Sequence, residues 1–247
     1  MTDFLKRTFE GYFKRIIIAG DGVEALQLVR SHVPDIIVSD VMMPRMNGYE
    51  LCKTIKEDIA ISHIPVILLT AKDDKQSLIS GYKNGADGYL SKPFEVEMLM
   101  ELIRNRLKNR EYTKKRYLNA GLIPTPEEST ISLTDETFLI KLNSIIQENI
   151  DNTNLGIQFI CQEVGLGRSS LYNKLKALTG MGANEYISKL RIEKAITLIS
   201  GTDMPFSEIA EKTGFTTPSY FSTTFKQYTG ETPSQYKERK KKGLTDQ

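Results

Sequence analysis

The chain has 247 residues, 26% charged and 40% hydrophobic, with 33 lysines and arginines against 31 acidic residues and a net charge of +2. That balance is ordinary for a soluble protein with room for two compact domains. No apolar run approaches the ~20 residues of a membrane span, and no signal-peptide pattern opens the chain, so neither a membrane protein nor an exported one is expected.

The first segment reads MTDFLKRTFEGYFKR, with Phe4, Leu5, Phe9 and Tyr12 falling at helical spacing. Arg15–Ala19 reads as a strand, followed by an Asp21-Gly22 turn. Three further apolar runs, PDIIVSD, IPVILLT and GYLSK, are short and bounded by Gly, Pro and charge. Such runs read as buried parallel strands. Helical patterns separate them, which predicts an α/β fold with a doubly wound parallel sheet. In such sheets the carboxyl ends of the strands line one crevice. That gathers Asp40, Thr70 and Lys92 in one pocket. A carboxylate, a hydroxyl and an ammonium suit phosphoryl transfer to Asp40 as nucleophile. Lys92 offsets the added negative charge, and the Thr70 hydroxyl can donate to a phosphoryl oxygen. The competing reading makes Asp40 a helix cap and Lys92 a solvated surface residue. Agreement at three separate strand ends favours the pocket.

Two cysteines, Cys52 and Cys161, lie inside helical patterns with no metal-ligand neighbour at zinc spacing. They read as buried thiols of a reducing, cytoplasmic compartment. His32 and His63 precede strands and read as structural or surface residues.

The order and spacing of these residues resemble the receiver domain of response regulators over about residues 1–108. The resemblance extends to Met43-Pro44 after the acceptor, Asn47-Gly48 opening a helix, the GADGY turn and the Lys92-Pro93 pair. It implies that Asp40 is the phospho-acceptor, that Thr70 and Lys92 take part in the switch, and that Tyr89 is the switch aromatic. It also implies a Mg²⁺ ion held by Asp40 and an acidic pair closing a first strand. No apolar run precedes Asp3, so that strand and its pair are absent here. Mg²⁺ prefers near-octahedral oxygen ligands, and Asp40 alone makes an incomplete site. The expectation is a shortened receiver with a gap between Ile16–Ala19 and Ile36–Asp40. Either those segments close the gap by pairing, or both keep unpaired backbone groups.

Residues 109–134 read as a linker, containing the aperiodic run NAGLIPTPEESTIS. Basic clusters occur at 105–116 and 237–242. The first reads as the end of the last receiver helix, the second as a tail able to touch phosphates without reading bases.

Residues 135–247 read as all helical. Thr134 or Asp135 can cap a helix carrying Phe138, Leu142, Ile145, Ile146 and Asn149 at 3–4 spacing. An approximate repeat follows: IQFICQEVGLGRSSLYNKLKALTG (157–180) and FSEIAEKTGFTTPSYFSTTFKQYTG (206–230). Each copy has a helix, a Gly-containing turn and a second helix ending in Thr-Gly, the helix-turn-helix pattern. Between them NEYISKLRIEKAITLIS (184–200) is a helix of roughly 26 Å. It can set two recognition helices about one DNA turn, ~34 Å, apart. In the first recognition helix Leu171 and Leu175 pack inward and leave Ser169, Ser170, Tyr172, Asn173 and Lys174 outside. In the second, Phe221 and Phe225 pack inward and leave Ser219, Tyr220, Ser222, Thr223 and Lys226 outside.

The motifs LYNKLKALTG, YISKLRIEKAITLI and IAEKTGFTTPSYFSTTFKQYTGETPSQYK resemble the AraC family of bacterial transcription factors over about residues 145–237. The resemblance places base reading at Ser169, Tyr172, Asn173, Ser219, Ser222 and Thr223. Arg168, Lys174, Lys176 and Lys226 are candidates for the same surface, the first three for phosphates. It makes Arg191 a brace between the two halves. A receiver joined to such a domain resembles the C-terminal half of hybrid two-component sensors, which implies a histidine kinase domain as partner and a homodimer on activation. The sequence thus predicts a DNA-binding regulator, not an enzyme, acting on double-stranded DNA. The alternative is a pseudo-receiver that regulates by oligomerisation without phosphorylation.

Overall fold

A computed structural model describes residues 2–71, 85–120 and 132–245. The helix expected between Thr70 and Gly88, and most of the Pro-rich linker run, lie outside the described residues. Contacts divide the chain into two compact units. Residues 1–116 make up most of the first, and 138–176 with 180–247 most of the second.

In the first unit α1 (Thr2–Phe9) and α2 (Gly22–His32) precede β1 (Ile37–Asp40), α3 (Gly48–Glu57), β2 (Val66–Ala71), β3 (Gly88–Lys92) and α4 (Val96–Ala120). The three strands are parallel in the order β1-β2-β3. Asp40 pairs with Leu69, and Thr70 with Ser91. The central strand is buried on both faces. Val66 and Leu68 pack with Val29 of α2 and Leu51, Cys52 and Ile55 of α3. Ile67 and Leu69 pack with Phe9 of α1 and Leu99, Met100 and Ile103 of α4. Strand periodicity of two sends alternate residues to opposite layers, which is why IPVILLT is apolar without interruption.

Four expectations need correction. Arg15–Ala19 forms no strand. A strand exists by pairing with a neighbour, and β1 pairs only with β2 among the described residues. The gap therefore stays open. Ile16 instead packs against the core cluster that contains Phe9, while Ile17 and Ile18 are exposed. The α1 stripe ends at Phe9, and Tyr12 is 65% exposed beyond it. The last receiver helix runs on to Ala120, well into the expected linker. Its Glu-, Lys- and Arg-rich continuation is made of good helix formers. Arg110 donates to the Asp35 carbonyl at 3.1 Å, tying that continuation to the first unit. Finally, the helix α5 (Leu133–Glu148) starts earlier than expected: Ser132 Oγ accepts from the Asp135 amide, so Ser132 is the cap.

Cys52 is fully buried, and burial pushes its thiol up to about 12, so it is chemically inert. Cys161 is only half-buried. His63 is buried and His32 exposed.

The second unit contains α6 (Ile157–Val164), α7 (Arg168–Thr179), α8 (Ala183–Gly201), α9 (Phe206–Lys212), α10 (Pro218–Thr229) and α11 (Pro233–Thr245). Phe138, Leu142 and Ile146 of α5 are buried, as their spacing predicts. Around α8, Ile192, Ala195 and Ile199 form a core with Ile209, Phe215, Phe221 and Phe225. At 19 residues α8 is roughly 28 Å long. Both helix-turn-helix units are present. Gly165 and Gly180 flank the first recognition helix at φ 70° and 75°, conformations that favour glycine. Thr217 caps the second recognition helix by accepting from the Tyr220 amide, with Pro218 in its first turn.

Candidate functional sites

The crevice at the carboxyl end of the sheet is built by the loop after β1. Asp40 closes the strand, and its Oδ1 accepts from the Met42 amide at 3.1 Å. Gly48 sits directly on the strand end: a Cβ there would lie 2.3 Å from the Asp40 carbonyl oxygen. Asn47 accepts from the Glu50 amide and Glu50 returns a bond to the Asn47 amide, which fixes the start of α3. Lys92 Nζ donates to Asp40 Oδ2 at 2.5 Å. Both side chains keep part of their water, so the pair is worth little in stability. Its consequence is charge placement. Thr70 is buried, and its hydroxyl has no hydrogen-bond partner among the described residues. The structure thus joins Asp40 to Lys92 directly and leaves Thr70 one strand over, with an unused donor. Tyr89, three residues before Lys92, packs against the α2–α3 layer.

A second carboxylate near the loop was missed by sequence reading, which took Asp21-Gly22 as a turn only. Asp21 caps α2, accepting from the Val23 amide at 2.9 Å and the Glu24 amide at 3.1 Å. Its other oxygen accepts from the Arg45 guanidinium. Burial would raise its pKa, but the two amides and Arg45 outweigh this and lower it. Arg45 stands at φ 62°, a left-handed position in the loop after Asp40. An Asp followed by an apolar helix pattern is the readable part of this latch; its distant partner is not.

Asp40 is thus paired to Lys92, and Asp21 is committed to Arg45. Among the described residues no group of three or more His, Cys, Asp or Glu could hold a metal ion. One paired carboxylate does not fit a near-octahedral oxygen site, so Mg²⁺ does not match the donors among the described residues.

The second candidate site is the surface of the two recognition helices. Leu171, Leu175, Phe221 and Phe225 are buried, as their spacing predicts. Arg168, Ser169, Tyr172, Lys176, Ser219, Tyr220, Thr223 and Lys226 are exposed, while Ser170, Asn173 and Ser222 are half-buried. Arg168, Ser169, Tyr172 and Asn173 line one open concavity. Lys174 is a correction. It is 0% exposed, with its ammonium 5.0 Å over the Phe138 ring. A lysine stem can cover apolar surface, and the ring face is one favourable partner for its head. Arg168 and Lys176 remain as phosphate candidates on that helix. Arg191 is buried and donates to the Asn152 carbonyl at 2.6 Å, with its guanidinium 6.0 Å over the Phe215 ring.

Comparison with known proteins agrees with this architecture. The family model of the response regulator receiver domain matches residues 1–104, and a helix-turn-helix domain model matches residues 160–239. The chain is 42% identical over 224 residues to Histidine kinase P4 of Formosa agariphila, covering 91% of this chain but 16% of that protein. It is 32% identical to the probable transcriptional regulator ycf29 of Pyropia yezoensis, over 69% of this chain and 82% of that one. It is 29% identical to the transcriptional regulatory protein HptR of Staphylococcus aureus, over 91% of this chain and 88% of that one. The chain belongs to the response regulators of two-component systems, with a receiver domain followed by an AraC-type helix-turn-helix domain.

Proposed function

We propose that this regulator reads a specific DNA sequence with both recognition helices and that phosphorylation of Asp40 controls the reading. The observation that carries the first part is the pair of helix-turn-helix units, each with its apolar side buried and a short polar side exposed. Asn173 can bond adenine bidentately, and the serines can bond several bases. The second part rests on the Asp40–Lys92 contact and the unused Thr70 hydroxyl. An Asp40 oxygen would attack the phosphorus of a phosphohistidine, and the P–N bond would break. Lys92 would then face the new phosphoryl oxygens. The donor is a histidine kinase domain, the active form is a homodimer, and the setting is the cytoplasm. Among the described residues no helix is long and apolar enough to cross a membrane. Asp40 accepts a group and processes no substrate, so the reading is regulatory rather than enzymatic.

Selection from random duplexes should recover one motif. Asn173→Ala should then relax preference at one base position by about 1–3 kcal/mol, measured by titration against single-base variants. Recovery of no motif would reject sequence-specific reading.

The pseudo-receiver reading is favoured by one observation: among the described residues no group of three or more His, Cys, Asp or Glu could hold a metal ion. Acetyl phosphate tests the metal site of this crevice alone, while Asp40→Asn in the protein's signalling context decides between the two readings. This 247-residue chain is expected to take up negligible label with Mg²⁺. Stoichiometric, chelator-sensitive labelling of Asp40 would show that the acidic pair is dispensable.

A further inference from the structure

The last helix carries a charge arrangement that base reading does not use. Lys237, Arg239, Lys240, Lys241 and Lys242 put five cations into six positions of α11. Four of them are held in ion pairs. Lys237 and Lys241 share Asp203, at 3.2 and 3.9 Å. Arg239 meets Glu231 at 2.7 Å, and Lys242 meets Glu238 at 2.8 Å. Lys240 has no carboxylate within ion-pair reach among the described residues. Asp203 is 91% exposed, and Arg239, Lys241 and Lys242 are exposed as well. Such pairs are weak and exchange readily for other anions.

The row is also fixed in place. Tyr236 packs edge-on against Phe225, the buried anchor of the second recognition helix, with centroids 5.6 Å apart. Arg239 stacks over the other part of that contact, 5.0 Å from the Tyr236 ring. So α11 is tied to the C-terminal half of α10. That helix has 12 residues and is about 18 Å long. A major groove is about 12 Å wide. When the first turns of a recognition helix read bases, its far end leaves the groove at a phosphate strand. The basic row follows directly on Tyr236, the residue that packs against Phe225 of that helix.

We propose that α11 is a phosphate clamp on duplex DNA beside the second recognition helix, and that Asp203 and Glu231 hold its cations until phosphates replace them. This rests on the DNA-reading proposal above and adds a contact that is blind to sequence. Phosphates compete well because an ammonium or guanidinium makes its strongest hydrogen bonds to them. The carboxylates restrain the row, so removing one should strengthen binding.

The test uses the full chain, a duplex carrying the selected motif and a duplex with that motif scrambled. Affinity is measured across a salt series. Each phosphate contact contributes about 0.9 to the slope of log affinity against log salt. The double variant Lys240→Gln/Lys241→Gln should weaken binding to both duplexes by the same factor and reduce the slope by about 1–2. Asp203→Asn should move affinity the other way on both duplexes, a rise that misfolding cannot produce. Preference for the motif should stay unchanged in each variant. A wild-type chain that binds the two duplexes equally defeats the DNA-reading proposal. A wild type that discriminates, with slopes unchanged in the lysine variant or no rise for Asp203→Asn, defeats the clamp alone.

Discussion

Gly214→Ala is expected to destabilise the C-terminal unit by about 2–5 kcal/mol, against about 1–2 kcal/mol for Gly165→Ala. The two glycines share a backbone conformation, at φ 71° and 70°. A left-handed position costs an L side chain about 1–2 kcal/mol, and both sites incur that. Their surroundings differ. A Cβ at Gly165 meets nothing within 4 Å, while one at Gly214 would lie 2.3 Å from the Ile150 carbonyl oxygen and 2.6 Å from Arg191 Nη2. Those neighbours cannot yield cheaply. Arg191 donates to the Asn152 carbonyl and lies over Phe215, and burial lowers its pKa by stripping water from the guanidinium. Pushing it aside would leave a buried charge short of partners, a costly outcome. Overpacking of this kind adds about 1–3 kcal/mol. Against a domain stability of about 5–15 kcal/mol, the difference is measurable. Hydrogen exchange of the α8–α10 amides should show far greater opening for Gly214→Ala than for Gly165→Ala. Equal opening would mean that the Arg191 contact does not hold the turn.

The same residues show what sequence reading can reach. Leu171, Leu175, Phe221 and Phe225 were legible as buried because apolar residues one turn apart on a helix share a face. The three strand ends were legible because buried parallel strands are apolar without alternation, and the polar residue that closes each one stands out. Arg191 as a brace was legible only through family resemblance. Three of the failures share a cause: each depended on a partner distant in sequence. Arg15–Ala19 has strand composition, yet a strand is defined by a neighbour, and among the described residues none pairs with it. Lys174 sits at an outward-looking position by spacing, yet Phe138 of another helix captures it. Asp21 reads as a turn residue, and nothing local announces Arg45. The helical run to Ala120 was misjudged for a different reason: the aperiodic, Pro-containing run that follows set the linker boundary too early, although Glu, Lys and Arg favour helix.

Asp40→Asn, in the protein within its signalling context, is expected to remove a signal-dependent gain of about 10²–10⁴ in affinity for DNA carrying two copies of the motif. The argument starts at the crevice. A phosphoryl group brings a charge of about −1.5 to −2 and three acceptor oxygens. Lys92 is already within 2.5 Å of Asp40, so compensation requires no new cation. The Thr70 hydroxyl is buried without a hydrogen bond among the described residues, an arrangement that costs about 1–3 kcal/mol. A phosphoryl oxygen would relieve that cost in one state and not the other. Such a difference between states is what a switch requires. Ser91 pairs with Thr70 and Tyr89 with Leu68, so movement at Thr70 reaches the β3 aromatic through two adjacent strands. A changed surface near Tyr89 would favour a dimer, and pairing two DNA-binding domains raises avidity without new base contacts. Thr70→Ala should retain phosphorylation while losing about tenfold of the gain, since 1.4 kcal/mol is a factor of ten. The readout is affinity for duplexes with one motif and with two, each with and without the phosphodonor. The gain should appear only with two motifs. An Asp40→Asn protein that keeps the full donor-dependent gain would end this mechanism and leave oligomerisation without phosphorylation as the working account.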